Sequence, residues 1–331
     1  MNSRPTELRP SLTAPPTQPP PPPTVVVDGV DKWFGDVVAL AGVRFKIGPG
    51  VTALLGPNGA GKTTMLRILA GLTSPSRGSV RVLGLDPRRH RTRLVRRMGL
   101  VPQSDGLFEQ LTPRAFLATV AALHGLPQAS EAADESLRDV GIDPRDGRPL
   151  RALSKGNRQR VRIAQALVHA PEVLLLDEPL DGLDPTERRH MSEVIRDLGT
   201  RGTTVLVSSH VLDEVERLGS RVLVIARGRL AAEGDFKAIR ALMDDRPHRI
   251  HLSVSDPKKY AAGLVGEGLV EAVRLSADGL VAETRDVFKF RRRLAPLALE
   301  LDVKLREVRP LDEDLESVFM YLVGSSESSG G

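Results

Sequence analysis

The sequence predicts an α/β fold built on a mostly parallel sheet, followed by a small α+β unit. Three observations predict it. Apolar strand-like runs alternate with helical stretches between about residues 24 and 240. A short apolar run at 51–55 leads straight into Gly56-Pro57-Asn58-Gly59-Ala60-Gly61-Lys62-Thr63-Thr64 and then into a helical pattern. Past about Asp245 the pattern restarts in the order β-α-β-β-α-β, a split β-α-β arrangement.

Each element has its own signal. Residues 1–23 end in a run from Pro19 to Pro23, which cannot bury a core and is expected to be disordered or polyproline-like. Residues 25–27 read as a strand, and 43–47 alternate apolar and polar as a half-exposed strand does. The run 51–55 reads as a buried strand and 65–70 as the start of a helix. Residues 112–141 read as helical, with Thr112 as a cap and Pro113 in the first position. Then come a helix at 154–169, a strand at 173–176, a helix at 185–198, a strand at 204–208, a short helix from Val211 and a strand at 221–226. In the last third, strands are expected at 248–254, 268–275, 278–283 and 302–308. Helices are expected at 257–264, 286–298 and 311–323, before a Ser/Gly tail at 324–331.

Composition narrows the function classes. The chain has 331 residues with 40% apolar and 27% charged, enough for two packed units. Aromatics are only 3%, so Leu, Val, Ile and Ala must fill the core. There is no cysteine, which excludes disulfides, zinc-thiolate sites and iron–sulfur clusters. No run approaches the roughly 20 apolar residues of a membrane helix, and the N-terminus lacks a signal region. A net charge of +5 is small for this length, so nucleic acid is not an expected partner. The arginines at 88, 89, 91, 93, 96 and 97 read as a solvated face.

The loop at 56–63 fits G-x-x-x-x-G-K-[ST] in full, between a strand and a helix. Glycines let backbone N–H groups curl around phosphate oxygens, and the helix start adds its positive end. Lys62 can reach the β and γ phosphates, and Thr63 offers a hydroxyl to Mg²⁺. The strand at 173–176 ends in Asp177-Glu178. Asp177 is placed to hold Mg²⁺. Glu178, one residue on, is directed elsewhere and can polarise an attacking water as general base.

Leu153-Ser154-Lys155-Gly156-Asn157-Arg158-Gln159-Arg160 precedes that strand. It resembles the signature of ATP-binding cassette (ABC) ATPases, LSGGQ followed by R-Q-R. The resemblance covers about residues 24–240 and implies a P-loop NTPase cassette: a mostly parallel sheet core, an antiparallel β subdomain and a helical subdomain. It implies further roles. Gln103 matches the glutamine that touches Mg²⁺ and water, and Asp184 matches the D-loop aspartate in Asp181-Gly182-Leu183-Asp184. His210 matches the switch histidine near the γ-phosphate. Phe34 matches the aromatic that stacks on adenine, with Trp33 beside it as a second π face. Ser154 and Gly156 match the hydroxyl and backbone N–H that address the γ-phosphate of a facing cassette. The sequence departs from the common signature at Lys155 and Asn157, and the D-loop starts with Asp181 where small polar residues are usual.

The resemblance implies ATP and Mg²⁺ as cofactors and ATP hydrolysis coupled to transport. It also implies a second cassette, most simply a homodimer, and a separate integral membrane permease. The protein would lie peripherally on the cytoplasmic face of the inner membrane. The segment from Asp105 to Thr112 resembles the part that docks a permease. The Leu-Ser-Lys-Gly signature and the ending Pro310-Leu311-Asp312-Glu313-Asp314-Leu315-Glu316-Ser317-Val318-Phe319 resemble drug and polysaccharide exporters. The implied organisation is a tail at 1–23, a nucleotide-binding domain at 24–240, a small ferredoxin-like accessory domain at 245–323 and a flexible tail at 324–331. A rival reading is a soluble ABC ATPase acting on ribosomes or DNA. Such members carry tandem cassettes, coiled-coil insertions or zinc cysteines, none of which this sequence holds.

Overall fold

The structure, a computed structural model, describes residues 22–103, 106–218, 221–236, 247–276 and 279–311. The proline-rich run through residue 21, Asp105, the junction between the two expected domains, the helix expected past Leu311 and the final tail lie outside them.

The centre is a six-stranded sheet. Its strands are β3 (Gly50–Leu55), β5 (Met98–Val101), β6 (Val173–Asp177), β7 (Thr204–Ser209), β8 (Arg221–Ala226) and β9 (Arg229–Asp235), in the order β5-β6-β7-β3-β8-β9. All neighbours are parallel except β8 and β9. Every residue of β6 and β7 is buried, which fits their apolar stretches at 173–176 and 205–207. The order β6-β7-β3 has a functional consequence. Leu55 pairs with Ser209 and Asp177 with Ser208, so three strands end side by side. Ligands in open α/β sheets bind outside such carboxyl ends.

A three-stranded antiparallel sheet, β2-β1-β4, is formed by β1 (Val25–Phe34), β2 (Val37–Ile47) and β4 (Arg77–Val82). Its Val25, Val27, Leu40 and Phe45 share one core with Met65 and Ile68 of α1 (Lys62–Leu69). The short helix α2 (Arg91–Val95) leads into β5. The helices α3 (Pro113–Leu123), α4 (Ala129–Asp139) and α5 (Lys155–Leu167) gather a second core around Phe116, Leu137 and Val161. Thr112 caps α3, accepting from Ala115 N at 3.2 Å, as the sequence predicts. The single helical stretch expected at 112–141 is two helices. Gly125 (φ +78°) and Leu126 close α3, their N–H groups donating to Ala122 O and Ala121 O.

After α6 (Pro185–Thr200) and α7 (Leu212–Leu218), the last third forms its own four-stranded antiparallel sheet. Its strands β10 (His248–Val254), β11 (Ala272–Ser276), β12 (Gly279–Thr284) and β13 (Leu305–Pro310) take the order β11-β12-β10-β13. With α8 (Pro257–Gly266) and α9 (Val287–Glu300), this is the expected split β-α-β topology. Ile250, Leu252, Tyr260, Leu280 and Phe290 fill its separate core.

Candidate functional site

The phosphate loop leaves β3 at Leu55, and its glycines are required by its shape. A Cβ on Gly56 would lie 2.2 Å from the Ile225 carbonyl oxygen. One on Gly61 (φ +106°) would lie 2.5 Å from that of Ala39. Helix α1 then begins with no side-chain cap and no acidic residue in its first turn. Its first N–H groups are therefore left for an anion. Lys62 is buried, and its Nζ donates to Gly56 O at 2.6 Å and Pro57 O at 3.1 Å. The loop thus wraps the lysine head in its own carbonyls.

Asp177 and Glu178, at the end of β6, are both buried. One hydroxyl holds both: Ser208 Oγ donates to Asp177 Oδ1 at 2.7 Å and accepts from Glu178 N at 2.8 Å. Glu178 sits at φ +48°, a left-handed conformation that costs a non-glycine residue about 1–3 kcal/mol. That backbone turns its carboxylate away from Asp177. Oε1 lies 3.1 Å from Lys62 Nζ, and Oε2 lies 2.9 Å from His210 Nδ1. His210 follows β7 directly and is half-exposed. Thr63, Gln103 and Asp177 line one cavity of about 270 Å³ between α1 and β5. These residues therefore fall into two contiguous groups at the ends of β3, β5, β6 and β7.

A third group lies where α5 meets α6. Ser154 caps α5, its side chain accepting from Asn157 N at 3.2 Å, and remains exposed. Asp184 caps α6, accepting from Thr186 N and Glu187 N at 2.9 and 2.8 Å. Gly156 packs closely under Glu187: a Cβ there would lie 2.1 Å from Glu187 Oε2, so a larger residue would make that side chain move. Lys155 lies over Gly182, its Nζ 2.1 Å from where a Cβ would stand. Gly182 itself takes φ +72°, a conformation that suits glycine. Phe34 stands at the tip of the β1–β2 hairpin, 53% exposed, with Lys32 Nζ 4.5 Å from its ring centroid. Trp33 is similarly placed, with the Arg77 guanidinium at 5.6 Å.

Sequence reasoning missed several residues that hold this site. Gln159 Nε2 donates to Pro179 O at 2.9 Å, Arg162 Nη1 donates to Gln159 Oε1 at 2.7 Å, and Arg162 also reaches Pro102 O. The signature helix thereby anchors both the turn after Glu178 and the approach to Gln103. The available signal was two polar residues on the apolar face of α5. Ser208 offered less, reading only as the end of a strand.

Comparison with known proteins agrees with this geometry. The family model described as ABC transporter matches residues 40–181. A daunorubicin resistance ATP-binding protein of Streptomyces coeruleorubidus is 39% identical over 305 residues, 91% of this chain and 96% of that protein. A Nod factor export ATP-binding protein I of Paraburkholderia xenovorans is 36% identical over 301 residues, 90% and 96% of the two chains. Among solved structures, an ATP-binding subunit of an ABC transporter matches with a TM-score of 0.61 and 28% identity, covering 66% of this chain and 93% of its own. A dimeric post-hydrolysis cassette, MJ0796 bound to ADP and Pi, matches with a TM-score of 0.59 and 25% identity, covering 64% and 98%. Motifs, fold and near-full-length relatives agree: the chain belongs to the ATP-binding proteins of ABC transporters, of the drug-resistance exporter type, and is an ATPase that serves transport.

Proposed function

We propose that two copies of this chain drive export through a separate membrane permease, hydrolysing ATP at the ends of β3, β6 and β7. The observation that carries the chemistry is the Glu178 carboxylate, held between Lys62 and His210 beside the phosphate loop. In this reading Glu178 is the general base for the attacking water. His210 orients that carboxylate and faces the γ-phosphate, and Lys62 binds the β and γ phosphates. The backbone N–H groups from Gly56 to Thr64 cradle the phosphates, and Phe34 stacks on adenine.

The residues also fit Mg²⁺. The Thr63 hydroxyl, Asp177 carboxylate and Gln103 amide are hard oxygen donors around one cavity. Mg²⁺ typically takes one or two protein carboxylates, with substrate oxygens and waters completing its shell. Among the described residues no three His, Asp or Glu side chains cluster as a dedicated cage, which suits that mode. Bound there, the ion would neutralise charge on the phosphate oxygens.

Pairing is supported by the exposed cap Ser154, which has no task within its own helix beyond one N–H. In this reading Ser154, Gly156 and Asp184 address the nucleotide of a facing cassette. The dimeric MJ0796 cassettes are consistent with it. Among the described residues no helix is long and apolar enough to cross a membrane, so translocation is assigned to a partner chain. We place the protein peripherally, on the cytoplasmic face. Export is supported by relatives named for drug resistance and Nod factor export, and a role on ribosomes or DNA finds no such support. The segment 245–323 is proposed as an accessory domain. Support comes from two exporter-named relatives that match about nine-tenths of the chain, last third included.

The test is the Glu178→Gln variant. It should bind ATP, run as a dimer in gel filtration with light scattering, and lose turnover by about 10²–10⁴-fold. Near-normal turnover removes Glu178 from the base role. A strictly monomeric variant at saturating ATP removes the pairing.

A further inference from the structure

A buried carboxylate outside the catalytic group connects two parts of this site. Glu214, on α7, is 5% exposed. Its Oε2 accepts from Ser209 Oγ at 2.7 Å, and its Oε1 lies 3.3 Å from Arg188 Nε. Arg188 stands in the first turn of α6, and its Nη2 donates to Leu183 O, inside the D-loop, at 3.4 Å. Ser209 is a joint. Its carbonyl accepts from Gly56 N at 3.2 Å, at the start of the phosphate loop. Its hydroxyl accepts from Val211 N at 3.0 Å, so it spans His210 from both sides. Burial pushes the Glu214 carboxyl upward, and the Glu178 carboxylate adds to the push; Ser209, Arg188 and His210 oppose it. A carboxylate kept in such a place is expensive unless paired, and removing either partner leaves the other uncompensated.

We propose that Glu214 is a positioning residue that couples the D-loop to His210 through the chain Leu183–Arg188–Glu214–Ser209. The proposal rests on the reading that the D-loop meets a second cassette and His210 meets the γ-phosphate. Engagement of the D-loop moves the start of α6. Arg188 carries that shift to Glu214, and Glu214 passes it to the residue preceding His210. Closure of the pair and alignment of the switch histidine are thereby one movement.

The test is a double-mutant cycle on the full-length chain, with ATP hydrolysis followed against ATP concentration. Glu214→Gln keeps an acceptor for Ser209 and removes the charge that Arg188 meets. It should lower kcat about tenfold, leave KM for ATP within about twofold and reduce the Hill coefficient toward one, as loss of a coupling does. Arg188→Met should do the same, and the double variant should be no slower than the slower single. Unchanged kcat and Hill coefficient, or single losses that simply add, would overturn the coupling. Arg188 is partly exposed, so its variant decides the matter alone if Glu214→Gln does not fold. ATP-dependent dimerisation of Glu178→Gln is scored separately. Its loss would sink the pairing, whereas its persistence beside a silent Arg188→Met would sink only the coupling.

Discussion

At the scale of single residues, the informative pair is Lys62 and Glu178, both about 6% exposed at the side chain. Breaking a buried pair by removing one member costs about 3–5 kcal/mol, because a charge is stranded. Lys62→Ala should therefore do two separable things. It should abolish nucleotide binding in a titration, and it should lower stability in urea by about 3 kcal/mol. Adding Glu178→Gln should restore most of the stability and none of the binding. If the double variant is as unstable as the single, the pair is not what holds the lysine.

A second residue-scale prediction concerns acid. His169 stacks on His124 with ring centroids 4.0 Å apart, and its Nε2 donates to Met98 O at 3.2 Å. Burial, then the neighbouring imidazole, push His169 down to about 4. His124 is also lowered, by burial and by Arg96. A histidine kept neutral in the folded chain binds protons more readily when unfolded. Its contribution is complete above about pH 6.5 and drains away as pH falls toward 4. Thermal melts should thus drop between pH 7 and 5 by more in the wild type than in His169→Gln. Parallel acid limbs would contradict this.

At the scale of elements, the sequence reading erred in a consistent way. Strands expected at 268–275 and 302–308 begin at Ala272 and Leu305. The first residues of each close the preceding helix instead. Gly268 and Leu269 donate to Val265 O and Leu264 O, and Asp302 and Val303 donate to Leu299 O and Ala298 O. The ends of α3, α4 and α6 are built alike. An apolar residue after a glycine looks like a strand start, yet here it is the hydrophobic contact of a helix cap. The unpredicted strands β4, β5 and β9 are edge strands and short or glycine-bearing, so they gave a weak signal; in β4 only 79–82 alternates. By contrast, β6 and β7 were legible because burial on both faces favours continuous apolar stretches, here 173–176 and 205–207. The phosphate loop and the acidic strand end were legible because their chemistry tolerates few residue types. The polar struts from Gln159 and Arg162 were not, since partners far apart in sequence leave no local pattern. These caps yield a paired test. Gly125 has φ +78° and no atom near its Cβ position, so Gly125→Ala should cost about 1 kcal/mol of backbone strain alone. Asp302 holds the same position at φ +50°, so Asp302→Gly should gain up to about 1 kcal/mol in chemical denaturation.

At the scale of the whole molecule, the apolar side chains of the last third pack among themselves, apart from those of the cassette. The proposed division into two domains makes a direct prediction. A chain ending near residue 245 should fold cooperatively and keep most of its basal ATP hydrolysis, while losing drive to transport once the permease is present. Failure of that truncated chain to fold would refute the division, and unimpaired transport would deny the last third a coupling role.

The grip of Lys62 on Glu178 has one more implication. On the proposed reading, the ammonium that would meet a triphosphate is engaged by the group that would activate water. A nucleotide docking there would have to outbid that carboxylate and would thereby set it loose. Fuel arrival and arming of the base would then be a single event. Because both charges are sheltered from solvent, added salt should scarcely weaken the pair itself.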